Sequence, residues 1–275
     1  MILVSGATGN VGRELARALV ERDVPVRALA RSPGGPIEGA ARVVGDLDHP
    51  DTLQPALEGV SGLFLLPGYR DMPGVLAAAR AAGVSRVVQL SGGSAGSGDT
   101  GNAISAYMIR TEEAVRSAGI PWTLLRPCGF MTNALEWAPQ LQAGDVVRAP
   151  FGGVRVAVID PADIAAVAAA ALVEHGHAGR IHALSGPEAL LPADRVRVLG
   201  EVLGRDLRFE AQSDEEAWAD MTARMPEPYV RAFFDFYVDG SLDESTVLPT
   251  VQEITGRAPR TFPDWARAHA DAFRG

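Results

Sequence analysis

Residues 1–12, MILVSGATGNVG, open the chain with a short apolar run followed by three glycines. The run Ile2, Leu3 and Val4 predicts a buried parallel strand, because successive branched aliphatic residues suit a strand that is covered on both faces. Residues 11–20 place apolar side chains such as Leu15 at helical spacing and predict a helix directly after the glycines. The chain is therefore predicted to begin with a strand, a glycine turn and a helix.

The glycine turn between this strand and this helix predicts a nucleotide site. Gly6 permits a tight turn, Gly9 the close approach of a phosphate, and Gly12 the close packing of the helix on the strand. Backbone N–H groups at the start of the helix point outward and suit a pyrophosphate. The spacing G-x-x-G-x-x-G differs from the G-x-G-x-x-G fingerprint, so a glycine turn without a ligand is the alternative. The other candidate cofactor contacts in this turn are Thr8, Asn10 and Val11.

The composition excludes several classes of protein. The chain has 275 residues, enough for one large α/β domain or for one domain with a smaller appendage. A formal net charge of -9 argues against a nucleic-acid surface, and no apolar run approaches the length of a membrane span. The single Cys128 excludes an intramolecular disulfide, so a cytoplasmic location is expected. The few histidines lack the neighbouring ligands of a metal site, so no metal is expected.

Strands and helices alternate along the first half of the chain. Further strands are predicted at 24–30, 42–47, 62–67, 84–90 and 122–126, and helices from Asp51 and at 72–82 and 104–118. This alternation predicts an α/β fold, a Rossmann-type doubly wound parallel sheet with a small α+β C-terminal lobe. Residues 1–150 are expected to form the dinucleotide-binding domain. Residues 151–275 are expected to complete the sheet and add a substrate-binding lobe, in one compact unit.

Later segments give weaker patterns. Residues 91–102 are rich in glycine and serine and predict a mobile loop. Residues 154–159 alternate like a strand, and residues 180–184 predict another short strand. A final helix is predicted at 265–273. Residues 226–238 carry an unusual share of the aromatic side chains, which belong either to the core or to a substrate wall.

The carboxyl ends of the strands are where ligands of such sheets bind. An NAD-selective site places a carboxylate after the second strand, whereas Arg31 stands there in this chain and offers a planar donor fork to a 2′-phosphate. NADPH is therefore the expected cofactor, with NADH as the second choice, and a solvated arginine is the alternative for Arg31. The other candidate cofactor contacts at strand ends are Leu66, Pro67, Gly68, Ser91, Gly92 and Pro127.

The turn GATGNVG resembles that of extended and atypical short-chain dehydrogenases, and residues 112–133 are similar to the NmrA-like family. The matching motifs are Glu112, SAG at 117–119, IPWT at 120–123, LRP at 125–127, Phe130 and Asn133, with AR at 30–31, GDL at 45–47, VI at 158–159 and DIA at 163–165. The resemblance places Asp46 and Leu47 by the adenine ring, although Asp46 capping the next turn is the alternative. The family contains NAD(P)H-dependent quinone reductases, other small-molecule reductases, and redox sensors that bind the dinucleotide without turnover.

The catalytic pair of conventional short-chain dehydrogenases is incomplete here. Those enzymes use Tyr-x-x-x-Lys beside the nicotinamide, and the lysine holds the tyrosine pKa near the working pH. All 25 Lys+Arg residues of this chain are arginine. Tyr107 lies in the expected helix, but Thr111 occupies the lysine position. Ser91 matches the fifth-strand serine, so Ser91 and Tyr107 are the candidate catalytic residues. Arg126 either holds the cofactor or ties its strand end to a carboxylate such as Glu112.

A quinone or a conjugated carbonyl tolerates this deficit, because a phenolate is far less basic than an alkoxide and geometry matters more than a proton donor. The expected function is NAD(P)H-dependent reduction of such a compound, for instance an aromatic natural-product intermediate, by direct hydride transfer without flavin. Cys128, Phe130 and Met131 are expected to bind the substrate. A non-catalytic NAD(P)-binding redox sensor is the alternative, and the missing acid–base pair disfavours an epimerase or a dehydratase. The oligomeric state is left open between monomer and homodimer.

Overall fold

A seven-stranded parallel sheet forms the centre of the computed structural model, which describes residues 1–35, 37 and 39–274. Its strands are β1 (Ile2–Val4), β2 (Val26–Ala30), β3 (Ala40–Val44), β4 (Gly62–Leu65), β5 (Arg86–Leu90) and β6 (Trp122–Pro127), followed after a separate strand β7 (Val146–Ala149) by β8 (Arg180–Leu184). The order β3-β2-β1-β4-β5-β6-β8 reverses direction between β1 and β4, which is where doubly wound sheets bind their ligands. The predicted Rossmann-type fold is confirmed.

Helices cover both faces of this sheet and also build much of the C-terminal half. They are α1 (Asn10–Val20), α2 (Gln54–Leu57), α3 (Met72–Ala81), α4 (Ala103–Ser117), α5 (Ala138–Ala143), α6 (Pro161–Val173), α7 (Pro192–Leu203), α8 (Asp214–Thr222), α9 (Glu227–Tyr237), α10 (Thr250–Thr255) and α11 (Phe262–Ala268). Helices α1 and α6 share one apolar core with the sheet, and α2, α3 and α4 share the core on its other face. Asn102 caps α4 by accepting hydrogen bonds from the N–H groups of Ile104 and Ser105, each 3.1 Å long. None of the described helices is both long enough and apolar enough to span a membrane.

The C-terminal half adds a third core beyond the strand ends. Strand β7 pairs in parallel with β9 (Arg208–Ala211) in a separate two-stranded sheet. This sheet packs with α7 and α11 around Met131, Trp137 and Trp265. Asp163, at the start of α6, is buried and accepts hydrogen bonds from the backbone and the side chain of Arg260. That ion pair fixes the C-terminal segment against the sheet.

Several segments differ from the sequence prediction. Residues 154–159 are not a regular strand, because Val156 and Ile159 each form only an isolated bridge, to Leu190 and to Phe130. The predicted loop at 91–102 contains a 3₁₀ helix, Gly93–Ser97. The predicted final helix is two shorter elements, α11 and the 3₁₀ helix Ala270–Phe273. Strands β7 and β9 were absent from the prediction, since each has only four residues and pairs with a strand remote in sequence.

Candidate active site

The glycine turn after β1 forms a tight cradle at the start of α1. Gly6 has a φ of +63°, a conformation that favours glycine, and its carbonyl accepts a 2.8 Å hydrogen bond from the Gly9 N–H. Gly9 is the N-cap and offers no side chain to the first helical N–H groups. Those donors are therefore left for an anion. Asn10 donates to the Thr132 hydroxyl at 3.2 Å and links the cradle to the segment after β6.

The cradle has no room for larger residues. A Cβ at Gly12 would lie 2.1 Å from the Gly6 carbonyl oxygen, and a Cβ at Gly6 would lie 2.4 Å from Cδ1 of Leu66. The buried Ser5 hydroxyl accepts a 3.0 Å hydrogen bond from the Leu66 N–H and joins β1 to the end of β4. The segments that follow β1, β4 and β6 thus meet at the turn, and the turn fits a dinucleotide pyrophosphate.

The end of β2 presents an exposed cation. Arg31 is exposed, and within residues 1–35, 37 and 39–274 its side chain forms no ion pair. Tyr69, a residue not predicted from the sequence, lies near it. Burial raises the pKa of Tyr69, and the Arg31 charge acts in the opposite direction. A single aromatic residue after β4 carried no motif that predicted this neighbour.

In the loop after β3, Asp46 caps the turn that follows it, which was the alternative to an adenine contact. Oδ1 of Asp46 accepts a 3.0 Å hydrogen bond from the Asp48 N–H. Leu47 is buried in the core beside the sheet. Asp48 in turn accepts a 2.9 Å hydrogen bond from the Arg70 N–H, so the β3 and β4 loops are held together. An adenine contact for Asp46 and Leu47 stays a prediction.

Tyr107 lies directly over the loop after β4. Gly68 has a φ of +96°, and a Cβ there would lie 1.6 Å from the Tyr107 hydroxyl oxygen. Burial raises the pKa of Tyr107, and the charge of Tyr229 acts in the same direction. Thr111, at the lysine position, donates to the Tyr107 carbonyl at 2.8 Å. The environment of Tyr107 is therefore the reverse of the lysine-activated tyrosine described above.

A buried carboxylate joins the ends of β5 and β6. Glu112 accepts hydrogen bonds from the Ser91 hydroxyl at 2.7 Å and from Nε of Arg126 at 2.8 Å, and it pairs with Arg116 at 2.9 Å. Burial alone raises the pKa of Glu112, but these partners outweigh burial and hold it below its usual value. Of the two roles considered for Arg126, cofactor binding and an ion pair at its strand end, the structure shows the ion pair with Glu112. The hydroxyl of Ser91 is engaged within this network, and catalytic roles for Ser91 and Tyr107 stay predictions.

The predicted substrate residues after β6 have different environments. Cys128 and Phe130 are partly exposed, whereas Met131 is fully buried in the C-terminal core. Met131 is therefore corrected from a substrate contact to a core residue. Burial and the nearby charge of Glu244 raise the pKa of Cys128 to about 12, which keeps its thiol neutral at neutral pH.

A second buried carboxylate, Glu244, lies between the loops that follow β5 and β6. Ideal Cβ positions at Gly93 and Gly129 would lie 3.7 Å from its Oε1 and 3.9 Å from its Oε2. The Tyr237 hydroxyl donates to Oε2 at 2.8 Å. Burial raises the pKa of Glu244, while the Tyr237 hydroxyl and the Gly129 N–H act in the opposite direction. No motif in the sequence marks Glu244, and Tyr237 is one of several aromatic residues at 226–238, because only the folded chain brings their segments to this edge.

Aromatic side chains of the C-terminal half form a row that begins at Tyr237, the hydrogen-bond partner of this carboxylate. The rings of Tyr237 and Phe151 are 5.1 Å apart, and Phe151 and Phe234 are 5.5 Å apart. Trp218 contacts Phe234 at 5.1 Å. These four rings are partly exposed and form an aromatic wall beside Glu244. Among the described residues, no group of three or more His, Cys, Asp or Glu side chains is arranged to hold a metal ion.

Comparison with known proteins identifies the class of this site. Residues 6–175 match a family of NAD(P)H-binding proteins, and the chain belongs to this family. The chain is 44% identical to the (4-alkanoyl-5-oxo-2,5-dihydrofuran-3-yl)methyl phosphate reductase of Streptomyces griseus and 37% identical to the NAD(P)H azoreductase of Xenophilus azovorans. Each match covers 99% of this chain and 99% of the relative.

A solved structure has the same fold over nearly the whole chain. It is an NADPH-dependent quinone oxidoreductase of Escherichia coli in complex with NADPH, with a TM-score of 0.81 and 25% identity. The match covers 98% of this chain and 99% of that structure. The resemblance to the NmrA-like family is confirmed, and the protein is an NAD(P)H-dependent reductase of the quinone oxidoreductase and azoreductase type.

The tight packing of Gly12 yields the first testable prediction. Gly12→Ala forces the α1 backbone away from Gly6, because its Cβ would otherwise lie 2.1 Å from the Gly6 oxygen. We expect the NADPH dissociation constant to rise about tenfold or more, a cost of about 1.4 kcal/mol or more. Fluorescence titration with NADPH measures it. Gly144→Ala is the matched control, because no described atom lies within 4 Å of the added Cβ. Equal affinities in the two variants would contradict the prediction.

Proposed function

We propose that the protein uses NADPH to reduce a quinone or another conjugated carbonyl compound by direct hydride transfer, without flavin or metal. The observation that carries this proposal is the buried Glu244 carboxyl, which lies with an aromatic wall at the same sheet edge as the glycine cradle. The edge thus combines a dinucleotide cradle, flat apolar surfaces and a carboxyl group whose pKa is raised by burial. A cytoplasmic location is proposed with it, because a lone thiol suits a reducing compartment.

The names of the similar proteins support a conjugated acceptor. One acts on an oxo-dihydrofuran ring that carries an alkanoyl group and a methyl phosphate, another is an azoreductase, and the third is a quinone oxidoreductase. In each type of acceptor, an added hydride leaves a negative charge that the conjugated system delocalises. Such a charge needs less help from a protein acid than the alkoxide of a simple ketone. An aromatic natural-product intermediate belongs to the same class.

The cofactor is proposed to occupy the cradle and the neighbouring strand ends. The free N–H groups at the start of α1 suit the pyrophosphate, and the exposed Arg31 suits a 2′-phosphate. Bound NADPH supplies the hydride. The proposed contacts are Gly6, Thr8, Gly9, Asn10, Val11, Gly12, Arg31, Asp46, Leu47, Leu66, Pro67, Gly68, Ser91, Gly92 and Pro127.

Glu244 is proposed to supply the proton that completes the reduction. The Tyr237 hydroxyl donates to Oε2, so in this proposal the acid form of Glu244 carries its proton on Oε1, the oxygen that faces Gly93. This proton passes to the anion formed on the acceptor, and the carboxylate is then reprotonated from solvent. Burial also raises the pKa of Tyr237, which therefore stays a hydrogen-bond donor and positions Glu244. Tyr107 is the alternative donor, from the loop after β4.

An assay of NADPH and NADH oxidation against quinones, an azo dye and acyl-dihydrofuranones tests the proposed function. We expect acceptor-dependent oxidation above the rate without protein, with two electrons recovered in the product. The absence of lysine favours the second candidate, a redox sensor. Tight NADPH binding without turnover of any acceptor would reject the reductase in favour of that sensor.

Arg31→Ala tests the choice of nucleotide. Loss of the guanidinium removes a charge-assisted contact to the 2′-phosphate, worth about 1.5–3 kcal/mol, so NADPH affinity is expected to fall about tenfold or more. NADH affinity should change little, because NADH has no 2′-phosphate. Arg17→Ala, on the exposed face of α1, is the matched control. If the affinities for NADPH and NADH fall equally, Arg31 does not contact the 2′-phosphate.

The pH dependence of kcat tests Glu244. The protonated form is the active one, so kcat should fall as the pH rises through the carboxyl pKa, which burial places above the usual value. Glu244→Gln should lower kcat about 100-fold and abolish this fall of kcat with rising pH, the basic limb of the pH profile. Tyr237→Phe removes a hydrogen bond that lowers the pKa and should move the limb to higher pH. Glu253→Gln, exposed on α10, is the control. If kcat of Glu244→Gln still falls over the same pH range, another group is responsible and the prediction is contradicted.

A further inference from the structure

Arg195, in the first turns of α7, is a largely buried arginine with a fixed guanidinium plane. Its guanidinium carbon lies 5.2 Å from the centre of the Trp137 ring. Its Nε is sealed from solvent and has no hydrogen-bond partner among the described residues. The two terminal nitrogens are not sealed from solvent in this way, so the outer edge of the guanidinium is the part that a ligand can reach. The side chain thus presents two coplanar donor groups at that edge.

The positive charge of Arg195 is not balanced within the protein. Across residues 1–35, 37 and 39–274, its side chain forms no ion pair and no hydrogen bond. The acids of the same helix serve other arginines, since Asp194 pairs with Arg155 at 3.5 Å and Glu201 pairs with Arg197. Burial lowers the pKa of Arg195 to about 10. A buried cation without a counter-ion is costly, which makes this side chain a ready anion site.

Arg195 also lies beside the proposed proton donor. Trp137 ends the 3₁₀ helix Met131–Trp137, which follows Phe130 directly. Tyr237, whose hydroxyl holds Glu244, is close enough for the Arg195 charge to act on its pKa. Arg195, Trp137 and Tyr237 are therefore neighbours, and the hydroxyl of Tyr237 links them to the carboxyl of Glu244. An anion held by Arg195 would sit within a substrate's length of the carboxyl of Glu244.

We propose that Arg195 binds a phosphate monoester on the substrate, so that the preferred acceptor is a conjugated carbonyl compound carrying this group. The planar fork of a guanidinium matches two phosphate oxygens, and the Trp137 stack fixes its orientation in advance. This inference rests on the proposed function, because it names the substrate class of that same site. Binding through Arg195 would then direct the conjugated system toward Glu244.

A matched pair of acceptors tests this proposal. An acyl-dihydrofuranone with a methyl phosphate is compared with the same compound bearing a free hydroxymethyl group. We expect wild type to show a kcat/KM at least about tenfold higher for the phosphate ester, mainly through KM. Arg195→Gln should lower that preference about tenfold or more, and Arg195→Lys should restore part of it. Arg197→Gln, on the same helix but paired with Glu201 at the surface, should keep the preference.

A binding measurement separates this proposal from the proposed function. Calorimetric titration of the NADP⁺-loaded protein with phenyl phosphate, benzoate and phenol requires no turnover. Phenyl phosphate should bind more tightly than benzoate or phenol, and Arg195→Gln should remove the difference while its urea midpoint and NADPH affinity stay near wild type. Equal binding of phenyl phosphate and phenol, or an unchanged preference in Arg195→Gln, overturns the proposal. If benzoate binds as tightly as phenyl phosphate, the proposed phosphate monoester is wrong and the anionic group of the substrate is a carboxylate. Phosphate binding without any turnover rejects only the reductase.

Discussion

The contact between Gly12 and the carbonyl of Gly6 is the constraint on which the site depends. With no Cβ at either position, α1 starts against the turn that ends β1, and its first N–H groups lie beyond the strand end. Leu66 closes over Gly6 from β4, and Asn10 reaches Thr132 from the other side. The cradle is therefore fixed by the packing of three segments, and a nucleotide needs to reorganise little of it on binding.

Two buried carboxyls near the ends of β5 and β6 illustrate how environment assigns different roles to the same chemical group. Glu112 is held by Arg126, Arg116 and Ser91, so its pKa is lowered and it stays an anion that braces the strand ends. Glu244 has one hydroxyl donor and no arginine within ion-pair distance among the described residues, so its pKa is raised by burial. Environments that push two pKa values apart separate the structural charge of Glu112 from the proposed proton donor Glu244.

The sequence sufficed for the parts of the molecule that depend on local patterns. Branched aliphatic runs, the glycine turn and alternating helices predicted the sheet and the place of its cradle, because strand order follows from short right-handed crossovers. The substrate side was predicted less well. Met131 follows a strand end, as a substrate contact would, yet its side chain turns into the C-terminal core. Glu244 and Arg195 stand in segments without a recognisable motif, and only tertiary packing brings them to the sheet edge.

The protonation states at this edge favour reduction over oxidation. Oxidation of an alcohol requires a base to accept the hydroxyl proton, and short-chain dehydrogenases obtain one by lowering the pKa of a tyrosine with a lysine. Here burial raises the pKa values of Tyr107, Tyr237 and Cys128, so all three keep their protons, and Glu112 is occupied by arginines. Burial of Glu244 favours its acid form in the same way. Side chains that keep their protons in this way are suited to protonating an anion left by hydride addition. The loss of lysine is therefore consistent with a reductase whose acceptors delocalise that charge themselves.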